Sequence, residues 1–172
     1  TGAITVNPLP QQYDVNGGGS FCTGTGGVIV GVANSENGVN YQLYNGGLPT
    51  GTPVGGTGMG IDFGPQTVRG TMYTVRGTNN TTKCASDMKL STVVDPVAPV
   101  TPSVAIDSTD GNACIGDKVV YVAHPTNGGS APAYTWKVNS VPVSTADRYA
   151  NIPATGDVVT LEMISNAMCA VS

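Results

Sequence analysis

The chain has 172 residues, with seven Lys and Arg against eleven Asp and Glu for a formal charge of −4, and only 10% of its residues charged. Such a balance repels phosphate backbones and anionic lipid, so nucleic acid and direct membrane association are excluded as electrostatic partnerships. No apolar run approaches the length of a membrane span, and 24 glycines amid abundant Thr, Val, Asn and Ser describe extracellular β-domains rather than a helical cytoplasmic enzyme.

Thr1 opens the chain without an initiator Met or export signal, which predicts an excised or processed piece of a longer secreted protein. Strand signals then recur with turn residues between them, and no stretch carries sustained helical periodicity. Residues 3–6 read as the opening strand. Residues 28–33 are an apolar run, and Val39, Tyr41 and Leu43 alternate with Asn40, Gln42 and Tyr44 before Asn45-Gly46-Gly47 turns the chain. Residues 61–63, 72–77 and 88–94 supply the later strands, with glycine-rich connections such as 55–58. Three prolines and no glycine in residues 95–102 predict a semi-rigid, extended spacer that sets two domains end to end. Beyond it the strands are 103–106, 118–123, 134–138, 149–152 and 158–165.

The two halves repeat one another. Cys22-Thr-Gly24 leads into the apolar run at 28–33, and Cys114-Ile-Gly116 leads into 119–123, at an offset of 92 residues. Tyr41, Leu43 and Asn45 are echoed by Tyr134, Trp136 and Asn139, so a whole domain has been duplicated. The expected domains are residues 1–95 and 96–172. About seven short strands, one central aromatic and two cysteines per unit describe an all-β chain of two tandem immunoglobulin-like sandwiches. Trp136 is the expected core aromatic of the second domain, with Tyr134 and Val138 on the same face, and Leu43 takes its place in the first beside Tyr41.

Domains of this size bury modest cores, and a covalent staple in each is physically useful. A zinc site requires closely spaced ligand pairs, which none of the four cysteines has. The expected staples are Cys22 with Cys84 and Cys114 with Cys169, since each pair frames one domain and the spacer lies between, and they imply an oxidising compartment. After Cys84 residues 85–94 can close the first sandwich, whereas only Ala170, Val171 and Ser172 follow Cys169. The second domain is therefore expected to lack its last strand, through truncation of a longer chain or completion by a strand from another molecule.

Cys22-Thr-Gly24, Gly38-Val-Asn-Tyr-Gln-Leu-Tyr-Asn-Gly46, Gly56-Thr-Gly58, Ile61-Asp-Phe-Gly64, Gly70 to Val75 and Thr82-Lys-Cys84 together resemble the immunoglobulin-like repeat modules of very large secreted and surface proteins of Bacteroidetes. Pro125-Thr-Asn-Gly-Gly-Ser130, Tyr134-Thr-Trp-Lys-Val-Asn139, Gly156-Asp-Val-Val-Thr160 and Ser165-Asn166 ending in Cys169 resemble the PKD-like module found in tandem with it. Nearly the whole chain is covered. The resemblance implies type IX export, a secreted or cell-surface location, and a parent of adhesin, gliding-motility or multidomain-hydrolase type. Gly70-Thr-Met-Tyr73 departs from the usual Gly-x-Tyr by one added residue, at the position of a tyrosine-corner hydrogen bond.

Candidate chemistry is sparse, and no catalytic residue is assigned. His124 is the only histidine, no Gly-x-Ser-x-Gly elbow is present, and Glu36 and Glu162 are the only glutamates. Asp107, Asp110, Asn112 and Asp117 crowd the approach to Cys114 and could supply oxygen ligands to calcium, although Lys118 stands where an EF-hand requires its final acid. No other cofactor is indicated. The glycines at 17–19 and at 24, 26 and 27 lack the Lys-Ser/Thr pair of a phosphate cradle, and Asn79-Asn-Thr81 and Asn80-Thr-Thr82 read as turn chemistry rather than glycosylation sites. The expected role is a non-catalytic spacer and adhesive surface, with neighbouring repeats of the same chain and a surface polysaccharide or protein as partners. One rival is a carbohydrate-binding accessory region, for which Tyr13, Tyr44 and Tyr149 are the available rings. The other is a filament subunit.

Overall fold

A computed structural model of the chain describes residues 2–108 and 113–171, and among these every regular element is a strand. Contacts divide the chain into a first unit, Thr1–Ala98, and a second, Pro99–Ser172.

In the first unit, β1 (Val15–Gly17), β3 (Val28–Val32) and β6 (Ile61–Gln66) form one antiparallel sheet. The facing sheet runs in the order β2 (Gly19–Cys22), β9 (Thr92–Val97), β7 (Gly70–Asn79), β4 (Val39–Asn45) and β5 (Leu48–Gly55), with β8 (Ala85–Asp87) also paired to β7. Alternation does what a half-buried strand requires: Val39, Tyr41 and Leu43 are buried while Asn40, Gln42 and Tyr44 face outward. Their buried partners are Tyr73, Val75 and Val94 from the same sheet and Val15, Val30 and Val32 from the other. Burial holds the phenols of Tyr41 and Tyr73 above the usual tyrosine value. Both are satisfied: the Tyr41 hydroxyl accepts from the Glu36 amide at 2.9 Å, and the Tyr73 hydroxyl donates to the Val68 carbonyl at 2.8 Å. The latter is a tyrosine-corner bond, kept in spite of the added residue because a register shift between Gly70 and Tyr73 absorbs it as a bulge.

In the second unit, β10 (Ser103–Ser108), β11 (Val119–Thr126) and β14 (Arg148–Asn151) form one sheet. β13 (Val141–Ser144), β12 (Ala133–Val138) and β15 (Val159–Ile164) form the other. Trp136 is completely buried, its indole N–H donates to the Ala146 carbonyl at 2.8 Å, and its ring lies about 6 Å from those of Tyr121 and Tyr149. Both units are immunoglobulin-like sandwiches of the same plan. Their central hairpins even share a turn: Gly46 and Gly47 in the first, Asn139 and Ser140 in the second, all at positive φ as a two-residue type I′ loop requires. In the first unit β9 occupies the edge of β7 and pairs in parallel with β2. At the corresponding place in the second, a parallel bridge joins Val100 to Ala170, and a groove lined by Thr101, Pro102, Met163, Ile164, Ser165, Ala170 and Val171 runs beside β15.

Several expectations are corrected. Residues 3–6 form no strand: Ile4 and Val6 are 90% and 89% exposed, and Pro8 and Pro10, which cannot donate to a ladder, follow directly. The strand expected over 88–94 is broken by Leu90, whose φ of 64° turns the chain between β8 and β9. Residues 95–97, expected as spacer, belong to β9, where Ser20, Phe21 and Cys22 pair with Asp95, Pro96 and Val97. The staples are corrected as well: Cys22 and Cys169 are disulfide-bonded, whereas Cys84 and Cys114 carry free thiols.

Candidate functional site

Strand register explains why neither expected disulfide forms. Cys22 pairs with Val97, three residues past the Val94 that faces Gly70, and so lies beyond the first residue of β7. Cys84 gives its carbonyl to the Asn79 amide at the last residue of that strand. Eight residues of strand separate Gly70 from Thr78, about 26 Å at 3.3 Å per residue. A disulfide needs Cα atoms within about 7 Å. In the second unit Cys114 precedes β11 on the side where Ser108 faces Tyr121, while Cys169 gives its carbonyl to Val100 at 2.9 Å, beyond the end where Ser103 faces Thr126. The two cysteines of each unit therefore mark opposite ends of it.

Each position is built alike in both units. The first cysteine opens a β-turn in which its carbonyl accepts from the residue three on, Thr25 to Cys22 at 3.1 Å and Asp117 to Cys114 at 3.0 Å. Gly24 and Gly116 occupy the third place of these turns at an identical φ of 93°, the geometry a type II turn demands of glycine. The second cysteine stands five residues past its strand, β7 in one case and β15 in the other. It lies against the incoming segment of its own unit: Cys84 Sγ is 3.9 Å from the Asn7 carbonyl, as Cys169 lies against Val100. Cys114 is exposed and Cys84 half-buried.

The candidate calcium ligands divide. Asp110 and Asn112 lie outside the described residues. Asp117 is used locally, its Oδ2 accepting from the Cys114 amide at 2.9 Å, and Asp107 Oδ2 lies 3.9 Å from Nε2 of His124. Among the described residues no group of three or more His, Cys, Asp and Glu is placed to hold a metal. His124 and Asp107 are both well exposed, so this arrangement is a surface contact and no more.

Tyr44, Thr74, Arg76 and Asp87 were not foreseen as a group, and they converge on the outer face of the larger sheet. Tyr44 faces Thr74 across β4 and β7, and Arg76 faces Asp87 across β7 and β8 with Nη1 and Oδ1 at 3.0 Å. With Gly47 and Met88 they line a shallow groove of about 440 Å³. The signal was present as alternation, since residues 44, 74 and 76 are the outward positions between buried neighbours. The pairing that joins them becomes visible only in the register. Trp136 and Leu43 are fully buried, as is Tyr41, whereas Tyr134 is half-buried.

No family model matches the chain, and no curated protein matches it. Among solved structures the chain is similar to one described as Clostridium thermocellum CbhA fibronectin(III)-like modules, at 13% identity over 87% of this chain and 82% of that one, with a TM-score of 0.34.

Proposed function

We propose that the chain is a pair of non-catalytic extracellular repeat modules whose role is to extend, space and present a surface in a longer adhesin-like protein. The observation that carries this reading is the duplication itself: one sandwich plan occurs twice, with the same cysteine-opened turn, the same central hairpin and the same end-marking cysteines. The presence of disulfide-bonded cysteines suits an oxidising, extracellular setting. The resemblance to Bacteroidetes surface modules adds type IX export and a cell-surface position to the same reading.

The test is substitution in the parent protein. If spacing is the role, exchanging residues 1–172 for an unrelated sandwich pair of similar length preserves adhesion or motility, while deletion abolishes it. An exchange as damaging as the deletion overturns the spacer reading. Product released from glycoside or ester substrates by the purified chain overturns its non-catalytic part. A second reading, polysaccharide binding, is favoured by the groove at Tyr44, where a half-buried ring lies beside the Arg76–Asp87 pair. Its check is retention on insoluble polysaccharide by the parent chain and loss of it in Tyr44→Ala.

A further inference from the structure

We propose that residues 3–8 of a second copy of this chain complete the second unit, as an added strand along the open edge of β15. The inference goes beyond the spacer reading, because it rests on the sandwich plan alone and makes the chain its own partner.

The open edge follows from strand register. Leu43 pairs with Val75 in the first unit and Trp136 with Leu161 in the second, so β15 takes the place of β7, with Leu161 at the position of Val75 and Val159 at that of Tyr73. Val158 gives its carbonyl to the Asn139 amide at 2.9 Å. Alternation therefore turns residues 160, 162 and 164 toward β12, and aims the amides and carbonyls of Val159, Leu161 and Met163 at the other edge. In the first unit that edge is covered twice, by β9 at Gly70 and Tyr73 and by β8 from Arg76 to Thr78. In the second, Ala170 and Val171 line a groove with Met163, the place that β8 holds. Among the described residues no strand holds the place of β9. The core registers the difference: Tyr73 and Val75 are 0% and 1% exposed, whereas Val159 and Leu161 are only half-buried.

The same chain carries a strand of the missing kind. Val6-Asn-Pro-Leu9 repeats the pattern of Val94-Asp-Pro-Val97, the heart of β9, with an amide in place of its isosteric carboxylate. Aligned on it, Ile4 falls at the place of Thr92 and Val6 at the place of Val94, which is completely buried. Tyr73 faces Thr92, so Ile4 is expected to face Val159 and to exchange both backbone hydrogen bonds with it. Ile4 and Val6 then point into the half-covered core, and Thr5 points outward as Val93 does. In its own chain this segment pairs with nothing, and Ile4 and Val6 stand 90% and 89% exposed. Residues 2–9 carry no charged side chain, so no charge is desolvated when they dock. An unpaired edge is a template for such an addition, with main-chain bonds supplying affinity and the alternate apolar side chains supplying register. Donor and acceptor are different surfaces, so the contact is heterologous and repeats from copy to copy.

The test uses the full chain with its free thiols alkylated, followed by sedimentation velocity from about 1 μM to about 1 mM. Wild-type protein is expected to gain mass with concentration. An Ile4→Asp, Val6→Asp double variant, altered only at exposed side chains, is expected to remain monomeric. A peptide of residues 2–9 in excess should disperse the wild-type assemblies. In the double variant, whose β15 edge is intact, it should slow amide exchange at Val159 and Leu161 at least about tenfold by NMR. The same peptide N-methylated at Ile4, which lacks the amide aimed at Val159, should do neither. A wild-type chain that stays monomeric throughout, a double variant that assembles as the wild type does, an N-methylated peptide that is equally effective, or a peptide that leaves Val159 and Leu161 unprotected would each overturn the proposal. Because the readout is strand pairing in the isolated chain, it is independent of the parent-protein exchange that tests spacing.

Discussion

Replacing Trp136 by Ala removes the whole centre of the second unit's core. The side chain is completely buried between the two sheets, touches the rings of Tyr121 and Tyr149, and holds the Ala146 carbonyl through its indole N–H. Deleting a buried aromatic of this kind costs about 3–5 kcal/mol, through lost burial and the cavity left behind. The unpartnered Ala146 carbonyl adds about 1–3 kcal/mol unless water reaches it. A domain of some 75 residues has about 4–11 kcal/mol of net stability in total, so the variant is expected to sit at or near its unfolding midpoint at 25 °C. Trp136→Phe, which keeps most of the volume but not the N–H, should cost less than half as much. Hydrogen exchange read by peptide is the suitable assay, because Trp136 is the only Trp and its substitution abolishes the Trp fluorescence signal. Protection should collapse in β11, β12 and β15 and persist in β4 and β7, whose buried core is drawn from first-unit residues alone. Full protection of β12 in Trp136→Ala, or equal loss in both units, would refute the packing argument.

Tyr73→Phe removes the hydroxyl that bonds the Val68 carbonyl and accepts from Asn45, and should destabilise the first unit by about 1–3 kcal/mol in urea titration. Gly24→Ala and Gly116→Ala meet no atom within 4 Å of the added methyl, so their whole cost is the strain of φ 93°, about 1–3 kcal/mol each, and Asn at either place should cost less than Ala. Asp157 accepts from the Ala154 amide and from the Asn139 side chain, and these bonds hold its carboxyl below the usual value of 3.8. A depressed folded-state value contributes stability that is present above the unfolded value and lost as pH falls through the folded one. The stability difference between parent and Asp157→Asn should therefore be constant at neutral pH and shrink only below about pH 4, and a difference that grows on acidification would contradict the assignment.

Strand identity was legible wherever side chains alternate against a buried face. Val39, Tyr41 and Leu43 sit in β4 and Trp136 in β12 because burial on one face of a pleated strand writes itself directly into residue order. Turn chemistry was equally local: Gly46 with Gly47, and Gly24 and Gly116, adopt positive φ that their residue type permits. Edges were less legible. Residues 3–6 carry the alternation of a strand but gain no partner, and β5 and β13, whose residues are largely exposed, leave almost no apolar signature.

Cysteine pairing belongs to tertiary structure. Sequence spacing brackets each domain with two cysteines and so suggests that they meet, yet distance along the chain carries no information about which end of a strand a residue reaches. The parallel pairing of β2 with β9 carries Cys22 past one end of β7, while the loop after β7 leaves Cys84 at the other. The convergence of Tyr44 with Arg76 and Asp87 has the same origin, since register between β4, β7 and β8 is a long-range choice. The sequence by itself therefore determined the core-facing strands and the turns, which depend on neighbours a few residues away, and the duplication, which is written in residue order. The fold alone decided which thiols remain free and which outward side chains share a groove, because both depend on which residues, distant along the chain, the folded sheet brings together or holds apart.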